Sequence, residues 1–190
     1  MPLPASAPRR HVHTRKVHCE GFVRDDGLWE VEASLVDLKP FAHTDFERGD
    51  RTPADPVHNM SIRLTVDRNL VVVDAQGAMD DVPYVTCNDV PPRMTALVGI
   101  RLGSGWRDAL RARLGRLEGC THMVELIGPA ITTLYQSMSY REPPDGVAEE
   151  AKAHPQRPFF LDGCYSWRAD GPNVAKFFPE FAKAKSGGAP

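Results

Sequence analysis

The sequence predicts an α+β fold, in which an antiparallel sheet of at least four strands in the N-terminal half is packed by three main helices in the C-terminal half. Apolar and polar residues alternate along segments that end near position 73, and this is the period of half-buried strands. From position 91 onward the pattern changes to helix start and stop signals. Strands followed by helices are typical of a sheet that is covered by helices on one face.

The strands are predicted to form two hairpins. Asp25-Asp26-Gly27 marks the first turn, because Asp and Gly tolerate a positive φ. The apolar positions beside this turn are Val17, Cys19, Gly21, Val23, Trp29, Val31, Ala33 and Leu35, with Asp37 on the same side. Residues 41–57 are predicted to be a loop. In the second hairpin one face consists of His58, Met60, Ile62, Leu64 and Val66, and Asp67-Arg68-Asn69 turns the chain into residues 70–73.

The helices are predicted from the signals at their ends. The predicted spans are 91–98, 106–114 and about 121–138. A pair of prolines opens the first helix, Ser104 is the predicted cap of the second, and Gly115 ends it. In the third helix Thr121 is the predicted cap, and Pro129 is predicted to cause a kink.

We expect one domain over residues 11–182, with flexible ends at 1–10 and 183–190 and a linker or surface excursion at 141–158. Lys and Arg together number 23 and Asp and Glu 25, so the net charge of −2 argues against a nucleic-acid partner. The sequence shows neither a signal peptide nor a run of about 20 apolar residues, and its cysteines form no CxxC pair. We therefore expect a cytoplasmic protein with no membrane partner, and a homodimer because symmetric dimers are common.

The third predicted helix carries a narrow polar stripe on an otherwise apolar surface. The stripe consists of His122, Glu125, Pro129, Thr132 and Gln136, which recur at spacings of three and four. On a largely buried helix such a stripe must face water, a polar partner or a ligand cavity. A solvent-facing strip, with Glu125 suited to the helix dipole, is the alternative to a functional site.

His58 is the second candidate, and it lies at the start of a strand on the face of Met60 and Ile62. It is either a core histidine with a satisfied hydrogen bond or a group presented to a cavity. Together with His122 and Glu125 it forms the predicted catalytic set. These three side chains suit general acid–base catalysis, or alternatively the binding of a divalent metal.

Other side chains are candidates for binding a substrate. They are Asp37, Tyr84, Trp29, Arg63 and Tyr135. A carboxylate at a strand end, such as Asp37, can equally be a turn former. Cys120 is either a nucleophile beside His122 at a helix start, or a buried and inert thiol. HExxH, GxSxG, P-loop and GxGxxG motifs are absent from the sequence.

Several segments of the chain together carry a family resemblance. They are His13-Thr14-Arg15, Arg24-Asp25-Asp26-Gly27-Leu28-Trp29-Glu30-Val31-Glu32, His58-Asn59-Met60, Arg63-Leu64-Thr65-Val66, Gly105-Trp106, Gly119-Cys120-Thr121-His122-Met123-Val124-Glu125-Leu126 and Leu161-Asp162-Gly163-Cys164. With these segments the chain resembles the bacterial family catalogued as domain of unknown function 2889, from about position 11 to position 181. The resemblance implies an enzyme that acts on a small phenolic or acyl compound, and it places the predicted catalytic set inside family motifs.

Three functions remain open on this basis. The first is a cofactor-independent lyase or isomerase that acts by proton transfer. Its substrate would be a small aromatic compound of the lignin-derived phenolic type, and one such reaction is carbon–carbon cleavage that releases formaldehyde. The second is a metal-dependent hydrolase or lyase that uses His58, His122 and Glu125 as ligands. The third is a non-catalytic protein that binds a small ligand. Elemental analysis tests the second function, and a wide separation of the three side chains would favour the third.

Overall fold

The computed structural model describes residues 3–138, 157–158 and 160–184. The chain forms two compact units, 1–140 and 141–190, and each is described by itself. The expectation of one domain stays a prediction, and the predicted linker falls almost entirely outside the described residues. The first residues that are described are exposed and lack regular secondary structure. Within the described ranges, no helix has both the length and the hydropathy needed to cross a membrane.

The first unit is built on a four-stranded antiparallel sheet. The strands of the unit, in chain order, are β1 (Thr14–Val23), β2 (Trp29–Leu38), β3 (His43–Asp45), β4 (Gly49–Arg51), β5 (His58–Val66) and β6 (Val72–Asp81). The four long strands pair in the order β1-β2-β5-β6, and every neighbouring pair is antiparallel. The predicted α+β arrangement is therefore confirmed, with strands in the N-terminal half and the main helices after them.

Local hydrogen bonds in polar turns fix both hairpins. In the first turn Gly27 has a φ of 79°, and the Asp26 carboxylate accepts a hydrogen bond from the backbone N–H of Leu28 at 3.2 Å. In the second turn the Asp67 carboxylate accepts hydrogen bonds from two backbone N–H groups, those of Asn69 at 2.9 Å and Val71 at 2.8 Å. Because turn geometry sets strand register, these contacts help to determine which side chains face each other across the sheet.

The segment predicted to be a loop between β2 and β5 instead contains a two-stranded ribbon of β3 and β4. Arg48 holds this ribbon, since its guanidinium binds the Asp45 carboxylate and donates to the carbonyl of Pro56 at 3.1 Å. The loop prediction was wrong here because strands of three residues are too short to show an alternating pattern. The ribbon matters for the site because its second tether, a 3.3 Å hydrogen bond from Arg48 to the Val57 carbonyl, lies next to His58.

The helices follow the sheet in the chain. Residues Pro91–Leu97 form a 3-10 helix, and the two longer elements are α1 (Trp106–Leu114) and α2 (Thr121–Ser137). The predicted caps were wrong by one position, because Gly105 with a φ of 84° precedes α1 and Cys120 with an extended backbone precedes α2. Gly115 follows α1 as predicted. Pro129 lies inside α2, which continues past it to Ser137.

The core lies between the inner face of the sheet and α2. It includes Val31, Ala33, Leu35, Met60, Ile62 and Leu64 from β2 and β5, and Met123, Leu126, Ile127, Ala130, Ile131 and Leu134 from α2. At one point the helix approaches β1 so closely that a Cβ on Gly21 would lie 1.8 Å from Ser137 Oγ. The helix is therefore fixed against the sheet by packing along most of its length, and its first turn lies where β2 ends and β5 begins.

The second unit contains α3 (Pro172–Phe177) and a small aromatic cluster. The ring of Phe160 lies 5.1 Å from that of Trp167 and 5.6 Å from that of Phe178, centroid to centroid. The Asp162 carboxylate accepts a 2.7 Å hydrogen bond from the backbone N–H of Ala169. These contacts give this unit a local scaffold of its own.

Candidate functional site

Three neighbouring strands place charged and imidazole side chains in one row. Arg15 on β1 is paired with Asp37 on β2, and Asp37 is paired with His58 on β5. Because side chains alternate across a sheet, Asp37 falls on the same inner face as Leu35, and its side chain is 1% exposed. Asp37 and Thr65 are the buried polar residues of the described part of the chain, so the buried charge of the sheet lies in this row.

Asp37 accepts hydrogen bonds at both carboxylate oxygens. Arg15 donates twice, from Nε to Oδ1 and from Nη2 to Oδ2, each at 2.8 Å. His13 Nε2 lies 3.0 Å from Oδ1, and His58 Nδ1 lies 3.0 Å from Oδ2. A carboxylate has no hydrogen to donate, so the facing nitrogen of each histidine carries the proton. For His58 this leaves Nε2 with a free lone pair when the ring is neutral.

The N-terminal part of α2 brings two more side chains, His122 and Glu125, to this row. His122 Nε2 lies 3.9 Å from Asp37 Oδ2, and the rings of His122 and His58 lie 4.0 Å apart between centroids at an angle of 35°. Glu125 is linked to the Asp37 carboxylate through Arg15. Its Oε2 atom accepts a 2.8 Å hydrogen bond from Arg15 Nη1. Glu125 therefore joins the cluster through Arg15, whereas the two imidazoles are adjacent.

The charge on Asp37 is stabilised by its partners. Burial raises the pKa of its carboxyl group. The hydrogen bonds from Arg15 and His13, together with the charges of both groups, lower the pKa by more than burial raises it, so that it is about 2. Arg15 shows the reciprocal effect, since its hydrogen bond to Asp37 raises the pKa of the guanidinium above its ordinary value. At neutral pH the centre of the cluster is thus an ionised carboxylate beside a guanidinium cation.

The surroundings of His58 disfavour its charged form, whereas those of Asp37 favour the charged form. Burial and the neighbouring charge of His122 lower its pKa below 6.5, and they outweigh the hydrogen bond and charge of Asp37, which raise it. The environment of His58 therefore favours the neutral form of its ring. The side chains of His58 and His122 remain 15% and 27% exposed, so both reach the surface from which a ligand would approach.

The carboxylate and the two imidazoles can also be considered as metal ligands. Asp37, His58 and His122 each offer one ligand atom within 4.8 Å of the others. The predicted ligand set named Glu125 in place of Asp37, but the Glu125 carboxylate is bound to Arg15. Both oxygens of Asp37 already accept hydrogen bonds, and the Arg15 cation at 2.8 Å would repel a metal ion. The donors on Asp37 would therefore compete with a metal ion for its oxygens.

Three predicted substrate-binding residues lie away from this row. Trp29 is at the other end of β2, beside Val66, about 26 Å from Asp37 at the usual rise per strand residue. Arg63 lies on the outer face of the sheet, where it binds Glu32. Tyr135 lies near the end of α2, and its hydroxyl donates a 2.6 Å hydrogen bond to a backbone carbonyl. An alternating pattern gives the face of a residue but not its nearness to another residue, which is why these were grouped together.

Two predicted substrate-binding residues remain, Tyr84 and Asp37. Tyr84 follows β6 at the sheet end where Asn59 pairs with Asp81, and its side chain is 43% exposed. Asp37, predicted to bind substrate, is instead buried at the centre of the cluster. Its hydrogen bonds to His13 and Arg15 give it a supporting position behind the imidazoles.

His13 and Arg15 were missed by the sequence reasoning. The alternation of β1 was followed only from Val17 onward, where the apolar positions begin. When the period of two is continued backward from Val17, it places Arg15 and then His13 on the inner face. On the adjacent strand, Asp37 had already been placed on the apolar face. Polar residues of opposite charge that continue the apolar faces of two paired strands are a signal that could have identified this contact.

A hollow of about 360 Å³ lies on the opposite, outer face of the sheet. Its lining includes Ser34 and Ser61 in the middle and the charged side chains of Glu32 and Arg63 at one side. It is open to solvent, and its charged groups are paired with each other on the surface. Perturbed ionisation combined with burial is a better indicator of chemistry than volume, so the Asp37 row is the stronger candidate site.

Comparison with known proteins gives a family and no named function. A family model described as "Protein of unknown function (DUF2889)" matches residues 13–136, and this span includes every member of the Asp37 row. Searches of the curated proteins and of the solved structures found no significant match. Because the family match covers well over half of the chain, this protein belongs to the DUF2889 family.

Proposed function

We propose that the protein is an enzyme that catalyses proton transfer on a small organic molecule, with His58 as the general base. The observation that carries this proposal is the 3.0 Å contact between His58 Nδ1 and the buried Asp37 carboxylate. A carboxylate in this position holds the imidazole in one tautomer and stabilises the cation that forms when the ring accepts a proton. The lowered pKa of His58 supports the same role, because a base must be neutral before it acts.

His122 is the second participant in the proposed reaction. Its ring centroid lies 4.0 Å from that of His58, with the two rings tilted by 35°, so a substrate proton taken by one ring lies close to the other. A pair of imidazoles can remove a proton from one atom of the substrate and return a proton to another, as an isomerase or lyase requires. In this scheme Glu125 acts through Arg15 rather than on the substrate.

We further propose that the substrate is a small aromatic compound of the lignin-derived phenolic type. This part rests on the implication of the family resemblance. Removal of a hydroxyl proton by His58 would allow the adjacent carbon–carbon bond to break with release of formaldehyde. The electron pair of that bond would remain on the other carbon, which would take a proton from His122. The reaction needs a base and an acid at the site, and two imidazoles supply both.

The test uses purified protein and a panel of hydroxymethyl-bearing phenolic compounds, with formaldehyde and aromatic products measured by chromatography. We expect turnover by the wild type and a loss of at least about 100-fold in kcat for His58→Ala, which is the usual contribution of a general base. His18→Ala is the matched control, because that imidazole lies on the exposed face of β1. Full turnover by both His58→Ala and His122→Ala would refute the proposal.

A metal-dependent hydrolase or lyase is the second candidate function. The observation in its favour is that Asp37, His58 and His122 place three ligand atoms within 4.8 Å of one another. Elemental analysis after purification, and again after reconstitution with zinc, manganese and iron, tests this function. One bound ion per chain that is lost in His122→Ala would support it, and sub-stoichiometric metal throughout would reject it.

A further inference from the structure

Cys120 lies on the side of His122 that faces away from Asp37. Its Sγ atom is 3.7 Å from His122 Nδ1, within the range of a hydrogen bond to sulfur. The other ring nitrogen, Nε2, lies 3.9 Å from Asp37 Oδ2. The thiol is thus within hydrogen-bond reach of one ring nitrogen, and the buried carboxylate lies near the other, which is the order of nucleophile, base and carboxylate in covalent catalysis.

We propose that Cys120 is a nucleophilic thiol that adds to a carbonyl carbon, with His122 as its base. This role is separate from the proton transfer proposed for His58, which needs no thiol. The Asp37 carboxylate near Nε2 favours the tautomer with its proton on that atom, and in this tautomer Nδ1 of His122 keeps a lone pair for the thiol proton. As the sulfur–carbon bond forms, the carbonyl π pair moves to oxygen and His122 returns the proton to that oxygen. The product is a hemithioacetal, and no oxidant or reductant is consumed.

The position of Cys120 in the fold suits this role. Cys120 immediately precedes α2, and no side chain of the described residues caps that end of the helix. The N–H groups in the first turn of a helix have no partner within the helix, and they favour negative charge nearby. A developing thiolate or oxyanion at this point is therefore stabilised by the helix as well as by His122.

The other three cysteines provide internal controls. All four thiols are free. Burial raises the pKa of Cys19 and of Cys87, so both are expected to react slowly with electrophiles. Cys164 is exposed, and the structure places no imidazole beside it among the contacts of the described residues. A high reactivity of Cys120 can therefore be separated from the effect of simple exposure.

The experiment measures alkylation of the reduced full-length protein by iodoacetamide at pH 7, with peptide mass spectrometry to follow each cysteine. Alkylation forms a sulfur–carbon bond and releases iodide, so it reports on nucleophilicity without any substrate. We expect Cys120 to react at least tenfold faster than Cys164. In His122→Asn we expect a loss of at least tenfold at Cys120 with no change at Cys164.

A rate at Cys120 that is no greater than that at Cys164 would overturn the proposal, as would an unchanged rate in His122→Asn. Faster alkylation of Cys19 and Cys87 in His122→Asn would reveal that the variant is unfolded. In that case the ratio of the alkylation rates of Cys120 and Cys164 in the wild type would decide whether the proposal holds. Benzaldehyde in excess is expected to slow alkylation at Cys120 alone, and equal slowing at Cys164 or none would reject a carbonyl ligand. These measurements do not depend on turnover, so they stand apart from the test of His58.

Discussion

At the scale of single residues, Asp37 determines the character of the site. It is a fully buried carboxylate whose oxygens are bound by Arg15, His13 and His58. Burial of an isolated charge is unfavourable, and several donors must offset that cost for the carboxylate to remain ionised. Because the donors come from different strands, the same contacts that keep the charge also fix the position of the His58 ring.

Replacement of Asp37 tests this balance through stability. The pKa of about 2 lies below the reference value of 3.8, so the ionised group stabilises the fold above pH 4, and this contribution is lost as the pH falls toward 2. Its size is roughly 2 kcal/mol. We expect Asp37→Asn to lower the free energy of unfolding in urea at pH 6 by about 2–5 kcal/mol, and by less at pH 3. Asp108→Asn, at an exposed position, is the control, and an equal loss for Asp37→Asn at both pH values would contradict the interpretation.

The interaction between the two imidazoles can be measured directly. The neighbouring charge of His122 is one cause of the lowered pKa of His58. We expect His122→Asn to raise the pKa of His58, followed by NMR titration of the imidazole protons. His18→Asn should leave that pKa unchanged, because His18 lies on the opposite face of the sheet. If the pKa of His58 were the same in wild type and His122→Asn, the rings would not be coupled as the structure places them.

At the scale of elements, the contact between α2 and the sheet positions the site. The helix supplies His122 from its first turn and Glu125 from the next, while its later residues pack on β1 and β2. Gly21 marks a close approach of the helix to β1, since a Cβ there would meet Ser137. A displacement at this end of the helix would be transmitted along a rigid element to its first turn.

Gly21→Ala tests this close approach. We expect the free energy of unfolding to fall by about 1–3 kcal/mol, because the added methyl group forces Ser137 or the helix to move. Gly128→Ala is the matched control within α2, because a Cβ added there would meet no neighbouring element within 4 Å. An alanine inside a helix is expected to be neutral or stabilising by up to about 1 kcal/mol. Urea denaturation measures both variants, and a neutral Gly21→Ala would show that the contact can relax without cost.

At the scale of the whole molecule, the first unit contains all the parts of the proposed site. The hydrophobic core runs from Val31 to Leu134, and the family match ends at residue 136. The matched residues, 13–136, include Arg15, Asp37, His58 and His122. This organisation indicates that the unit of residues 1–140 has a core sufficient for folding.

The fragment 1–140 is therefore expected to fold on its own. A cooperative urea transition and circular dichroism typical of mixed helix and strand would check this expectation, with the full chain as the reference. The NMR titration of His58 in the fragment should match that in the full chain, because the groups that determine its pKa lie within the fragment. A fragment without a cooperative transition would instead support the expectation of one domain over residues 11–182.

Local periodicity and turn residues were enough to predict the fold class, the three long strands β1, β2 and β5, and the spans of α1 and α2. The fourth long strand was predicted only at residues 70–73, whereas β6 spans Val72–Asp81. The same patterns singled out His58, which lies on the apolar face of a strand, and His122, which lies on the polar stripe of an otherwise apolar helix. The roles of Arg15 and Asp37, the ribbon of β3 and β4 and the indirect position of Glu125 were decided by the tertiary structure. These features depend on strand register and helix docking, which arise from contacts between residues far apart in the chain and leave no local pattern.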